Sequence, residues 1–329
     1  MRSLRIAVVV TVLVIPAVLF AQRPMSLGSI APPNSLWDKA LKEMAATLQI
    51  ATDRRVRLRI ASSSQGDEST IVRRLKLNST QAALLSLPAL SEIDDAFSVL
   101  GMPFFFNSDA EARHVLATLE PTLKQALADQ GMVLVGWGHT GWAYFFTADP
   151  VRTLDDLRST KIFTSAGDAA MVQWYKENGF EPVPLAITDV AMGLNTGLIT
   201  AYPLPPYAVM LVQYYRAAPY MLDVPLAPVI NALVVTAKAW AGLSNEDQEV
   251  FQTIGEQIED QLWEEVPRQD REAIEVMRGR GLTTVVLDKA ATTKLRRNVD
   301  ELTASMRGSM IPLDIYDLAL QTRNAYRGQ

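Results

Sequence analysis

The chain has 329 residues, 31 Lys and Arg against 36 Asp and Glu, two His and no Cys. The length supplies core for about two domains, and the missing Cys excludes disulfides, thiolate metal sites, a cysteine nucleophile and lipidation at cysteine. Two His argue against a multi-histidine metal centre, and a net charge of -5 argues against broad nucleic-acid binding.

Met1 to Arg5 carries two positive charges, and Ile6 to Ala21 carries none. A basic start, an apolar stretch and a small residue at its end read as a secretory signal spanning residues 1–21. The stretch is shorter than the ~20 residues of a spanning helix. Losing Arg2 and Arg5 with the signal takes the net charge from -5 to -7.

Met25 to Ile30 is a short apolar segment ending at Pro32-Pro33-Asn34. Ser35 offers an N-cap with Asp38 three residues on, and Leu36, Ala40, Leu41, Met44 and Leu48 form a helical stripe. Val56, Leu58 and Ile60 alternate with Arg55, Arg57 and Arg59, the pattern of a half-buried strand with a solvated basic face. Residues 68–77 read as a helix, 81–86 as a buried strand, 108–130 as a helix and 132–136 as a strand. This α/β order is followed by a second unit. Its strands are expected at 142–147, 161–163, 181–185 and 230–236, with helices at 168–177 and 188–195. Ser244 caps a long helix whose Val250, Ile254, Ile258 and Leu262 recur every four residues, with a kink expected at Pro267. Residues 283–287 read as a last strand and 291–327 as helical.

The obvious catalytic motifs fail. Gly136-Trp137-Gly138-His139-Thr140-Gly141 matches G-x-G-x-x-G, yet an aromatic strand follows where a dinucleotide site needs a helix N-terminus. A tight turn between two strands is the better reading. Asp155-Asp156, Glu246-Asp247 and Glu264-Glu265 are sequence neighbours, which diverge on a helix rather than cooperate as acid and base. Nothing points to an enzyme or to a cofactor.

The order of several segments resembles the DctP-type extracytoplasmic solute-binding proteins of TRAP transporters. They include the helix after Pro33-Asn34-Ser35, then Ser64-Gln65-Gly66-Asp67-Glu68 and Met102-Pro103-Phe104. They continue with Thr153 to Ile162, Gly179 to Pro184, Leu194 to Leu198, and Ala239 to Ser244 ahead of Asp247-Gln248. The resemblance covers residues 25–315. It implies an α/β, two-lobed periplasmic binding protein fold (type II-like), with crossing strands and a long connecting helix. Lobe I is expected at 25–138 plus about 226–262, and lobe II at 139–225 plus about 263–329. It also implies a periplasmic protein that delivers a small-molecule ligand to TRAP-type membrane permease subunits.

The departures from the family pattern set the expected ligand. The family usually places an arginine, which clamps a ligand carboxylate bidentately, where this chain has Phe163. The strand after Gly141 reads Trp142-Ala143-Tyr144, without the family's second basic residue, and Thr200 to Leu204 lacks the usual acidic and amide groups. A buried carboxylate with no cationic partner costs several kcal/mol. The expected ligand is therefore apolar or weakly polar. Phe104, Trp137, Trp142, Tyr144, Phe163, Tyr202, Tyr207 and Met210 are the candidate walls; Gln65, His139 and Asn231 are the candidate hydrogen-bonding groups. Two alternatives stand beside this. One is an ordinary organic-acid binder using Arg55, Arg57, Arg59, Arg73 or Arg74, or Arg152 or Arg158. The other is a ligand-free docking or sensory module on the same fold.

Overall fold

The structure is a computed structural model that describes residues 24–62 and 67–328. The expected signal segment and Gln65 lie outside the described residues. Ten strands join in one continuous sheet among those residues. They are β1 (Met25–Ser29), β2 (Leu58–Ser62), β3 (Ala82–Ser86), β4 (Met132–Thr147), β5 (Lys161–Ser165), β6 (Glu181–Leu185), β7 (Ala201–Leu204), β8 (Tyr220–Leu222), β9 (Ala227–Thr236) and β10 (Thr283–Val285). The spatial order is β2-β1-β3-β9-β4-β7-β5-β6, with β8 joining β4 to β10.

The sheet has two halves that share β4. In the first, β1 pairs in parallel with β2 and β3, while β9 lies antiparallel between β3 and β4. In the second, β5 pairs in parallel with β6 and β7, and the far end of β4 pairs antiparallel with β7 and β8. Parallel pairs need crossover helices, which cover the faces of both halves.

Local chemistry explains where the helices begin. Ser35, Asp67, Ser108, Thr153 and Ser244 each accept a hydrogen bond from a backbone N–H in the first turn. Thr153 and Asp156 complete a reciprocal capping box. The helix Asn245–Arg278, 34 residues long, continues through Pro267. It packs along β4 and touches both halves of the structure, so it serves as a spine.

Two expectations change. Gly136 to Gly141 is not a turn between two strands; it lies inside the 16-residue β4. Register shifts against β9 fall between Leu134 and Gly136 and between His139 and Trp142, so the glycines accommodate bulges rather than a reversal. Gly141 has φ +108, a left-handed conformation that suits glycine. The C-terminal stretch is also broken, into Lys289–Thr303 and Leu313–Arg327. Gly308, at φ +74, and the following Pro312 account for the break.

Candidate functional site

The main cavity, of about 370 Å³, opens between the two halves of the sheet. The strands present their C-terminal ends to it, where open α/β sheets place ligands. From the first half come Ser29 to Pro32 after β1, and Leu84 and Ser86 of β3. Trp37 and Glu68 add to this wall. From the second half come Phe163 to Ser165 of β5, Asp168, Met171 and Tyr175, and Pro203 to Pro205 at the end of β7. Thr140 and Ala143 of β4, with Ala227 to Val229 and Asn231 of β9, form the floor.

Of the expected site residues, Phe163 and Asn231 line this cavity. Asn231 donates from Nδ2 to Thr140 Oγ1. The other described candidates sit elsewhere, for identifiable reasons. The Trp137 indole donates to Glu120 at 3.0 Å and the Trp142 indole to Asp109 at 2.7 Å, so both rings turn towards the helix Asp109–Asp129. His139 is fully buried and stacks on Trp263 of the spine at 4.1 Å. Burial, with the nearby Arg113 guanidinium, holds its pKa down to about 3, so it stays neutral. Tyr202 is fully buried and stacks on Phe146 at 5.5 Å in the second-half core. Tyr144 packs against the same core, and burial pushes its hydroxyl up to about 12. Tyr207 packs edge-on against Trp37 at 5.4 Å, and Met210 is only partly buried beside the same group. Phe104 is buried beneath the Arg296 guanidinium at 5.1 Å, while its neighbour Pro103 reaches the cavity.

No Lys or Arg lines the cavity among the described residues. Arg55, Arg57 and Arg59 are exposed, and Arg55 forms a bidentate pair with Asp247 of the spine. Arg158 is held by Asp155 and the Asn178 carbonyl, and its guanidinium lies over Phe180. None of the basic residues weighed as a substitute clamp reaches the cavity wall. The sequence reading missed Glu68 and Asp168, the two charged side chains on that wall. Glu68 accepts the Ser86 N–H at 2.8 Å and the Ser86 hydroxyl. Asp168 accepts the Met171 N–H at 2.9 Å as a helix cap. Their one available signal was position, directly at the starts of the helices Glu68–Lys76 and Ala169–Glu177.

Two spine carboxylates hold the crossing strand at its bulges. Glu259 accepts the Trp137 N–H at 2.9 Å. Asp270 accepts the Tyr207 N–H at 2.9 Å, and the Trp142 N–H also reaches it. Burial pushes both carboxyls up to about 7, against the lowering effect of these N–H groups. The raised values make the folded protein hold protons that the unfolded chain releases. The contribution of these two groups to stability is therefore fully present below about pH 4 and is lost as pH rises to about 7. For Asp270 the loss is on the order of 4 kcal/mol at most. Asp270→Asn should flatten this decline, read as urea-unfolding free energy between pH 5 and 8. An unchanged slope in that variant would show that Asp270 is not the titrating group.

The family profile described as bacterial extracellular solute-binding protein, family 7 (DctP), matches residues 27–309. The chain belongs to the DctP family. It is a TRAP-type extracytoplasmic solute-binding protein with the two-lobed α/β fold. A solute-binding protein of Chromohalobacter salexigens is 25% identical over 245 residues, covering 72% of each chain. The 2,3-diketo-L-gulonate-binding periplasmic protein YiaO of Escherichia coli is 22% identical, covering 77% of this chain and 78% of its own. A TRAP periplasmic solute-binding protein of Desulfovibrio salexigens, solved with bound orotic acid, superposes with a TM-score of 0.85 at 15% identity. That match covers 93% of this DctP-family chain and 99% of the other.

Proposed function

We propose that this protein is exported to the periplasm, captures a ligand with a predominantly apolar body between its lobes, and passes it to a TRAP-type permease. The carrying observation is the cavity wall. It holds Phe163, other aromatic, proline and aliphatic side chains, several Ser and Thr, Asn231 and two carboxylates, and no cation among the described residues. A carboxylate ligand entering that space would be desolvated against like charge, at a cost of several kcal/mol. Lobe I, at 25–138 plus about 226–262, and lobe II, at 139–225 plus about 263–329, close as a hinge on β4, β9 and the spine.

The relatives favour a second reading, an organic-acid ligand. The names of the compared proteins specify 2,3-diketo-L-gulonate and orotic acid, both acids. In this chain such a ligand would have to bind through hydroxyls and backbone N–H groups, without a guanidinium.

A thermal-shift panel separates the two. Sugar acids and orotate should leave the melting temperature within about 1 °C at millimolar concentration, since a ligand must bind the folded state to stabilise it. Neutral apolar compounds should raise it. A clear rise with a uronate or orotate, and none with neutral compounds, establishes the organic-acid reading instead.

A further inference from the structure

We infer that the apolar ligand carries one neutral amide edge, a C=O with an N–H cis to it, and that the Asn231 carboxamide on the cavity floor reads that edge. The inference rests on the apolar-cleft reading and adds the ligand's polar group to it. Asn231 stands on β9 two residues after Val229, and both line the cavity. Residues two apart on a strand share a face, so the Asn231 side chain points into the cleft. Its neighbours across the sheet are Ser86 on β3 and Gly138 on β4. Ser86 turns its hydroxyl to Glu68, and Gly138 has no side chain to cover the carboxamide.

The carboxamide has bonds to spare. Asn231 is 8% exposed, so it is largely withdrawn from water. Its Nδ2 donates to the Oγ1 of Thr140, which also lines the cavity. That bond uses one of the two N–H groups, and Oδ1 has no hydrogen-bond partner among the described residues. Among those residues, the unpaired side-chain polar atoms that are sealed from solvent belong to His139, Thr164, Tyr202, Tyr215 and Trp263. Asn231 Oδ1 is not one of them, so it opens onto the cavity. A buried acceptor and donor left unmade are costly, and a ligand that fills both recovers that cost.

An acceptor and a donor side by side fit a group that presents them in the reverse order. A cis amide, as in a lactam, gives its N–H to Oδ1 and takes the free Nδ2–H on its carbonyl. The same two-bond pairing lets asparagine read the edge of adenine. A carboxylate fits poorly, because it offers only acceptors, sets one of them against Oδ1 and meets no cation on the wall. A ketone makes one bond and leaves Oδ1 unpaired. Around this single polar edge the wall is apolar, with Trp37, Leu84, Pro228 and Val229 nearby in the cavity. The wall hydroxyls of Ser98 and Tyr214 are already engaged, on Ser91 and on the Ile187 carbonyl.

The test uses three small aromatic probes: oxindole, a neutral cis lactam; indan-2-one, which has CH2 in place of the N–H; and phenylacetate. Each is titrated calorimetrically into the protein and into Asn231→Leu, which keeps a branched side chain without its polar atoms. Oxindole should bind about tenfold or more tightly than indan-2-one, since a site built to accept an N–H rejects the analogue lacking it. Phenylacetate should be weakest. In Asn231→Leu, with its fold verified by melting temperature, the oxindole advantage should shrink to within threefold. The comparison in the parent decides the matter even where the variant is unstable. Equal binding of oxindole and indan-2-one in the parent, or an oxindole advantage that persists in the folded variant, overturns the amide assignment and leaves the apolar cleft standing. Phenylacetate as the tightest probe, or no binding by any of them, overturns both.

Discussion

Valine at position 255 should cost this protein about 3 kcal/mol or more of stability, the upper end of what overpacking does. Gly255 sits on the spine where it crosses β4. A Cβ there would lie 2.5 Å from the Val135 carbonyl oxygen and 2.7 Å from Val135 Cγ1. The approach is mutual, since a Cβ on Gly136 would lie 2.9 Å from the Gly255 carbonyl oxygen. The obstructing atoms are largely backbone, so no rotamer change relieves the clash. Spine and strand must separate, and the two bulges lose the seating that Glu259 and Asp270 provide. Gly279→Ala is the matched control. Its nearest new contacts are 3.6 and 3.7 Å, and its φ is -62. Alanine there should change stability by no more than about 0.5 kcal/mol. Urea midpoints of the two variants and the parent decide the matter. A Gly255→Val midpoint equal to that of the parent would mean that the close helix–strand crossing does not exist in solution.

Phe163→Arg is expected to produce the largest change in binding. Phe163 is 8% exposed, forms part of the second-half core and lines the cavity. Arginine removes an aromatic wall and places a guanidinium at the apolar β5 side of the cavity. Affinity for Nile red, a neutral apolar fluorophore, should fall at least tenfold, equivalent to about 1.4 kcal/mol. Phe163→Leu keeps the wall apolar and should stay within threefold. The lost aromatic packing lowers the stability of the arginine variant, so its melting temperature is measured alongside to verify that it is folded. Equal Nile red affinity in parent and arginine variant would place Phe163 away from the ligand.

The helix starts were legible because a cap is a local event. Ser35 and Ser244 cap through residues three positions ahead, which the sequence displays directly. The long spine was equally plain from its four-residue apolar repeat. The course of β4 was not, because its bulges are set by pairing with β9, a strand distant in the chain. For the same reason the aromatic segments suggested a cleft lining that most of those rings do not form. Trp137 and Trp142 follow indole partners on the helix Asp109–Asp129, and His139 follows Trp263 on the spine. No spacing within β4 shows which partner a ring will meet. Glu68 and Asp168 escaped notice for a different reason. A carboxylate at a helix start is already explained by capping and the helix dipole, and that local explanation concealed their position on a shared wall. Phe163 was legible because it stands where the family usually has arginine.

The most direct measurement of the central claim is native mass spectrometry of the exported protein, purified without added ligand, followed by solvent extraction of what it carries. The apolar-cleft account predicts a bound, extractable species that is neutral or cationic and predominantly hydrocarbon or aromatic. A bound sugar acid or other small organic anion would contradict it and make this an ordinary carboxylate-binding member of the DctP family.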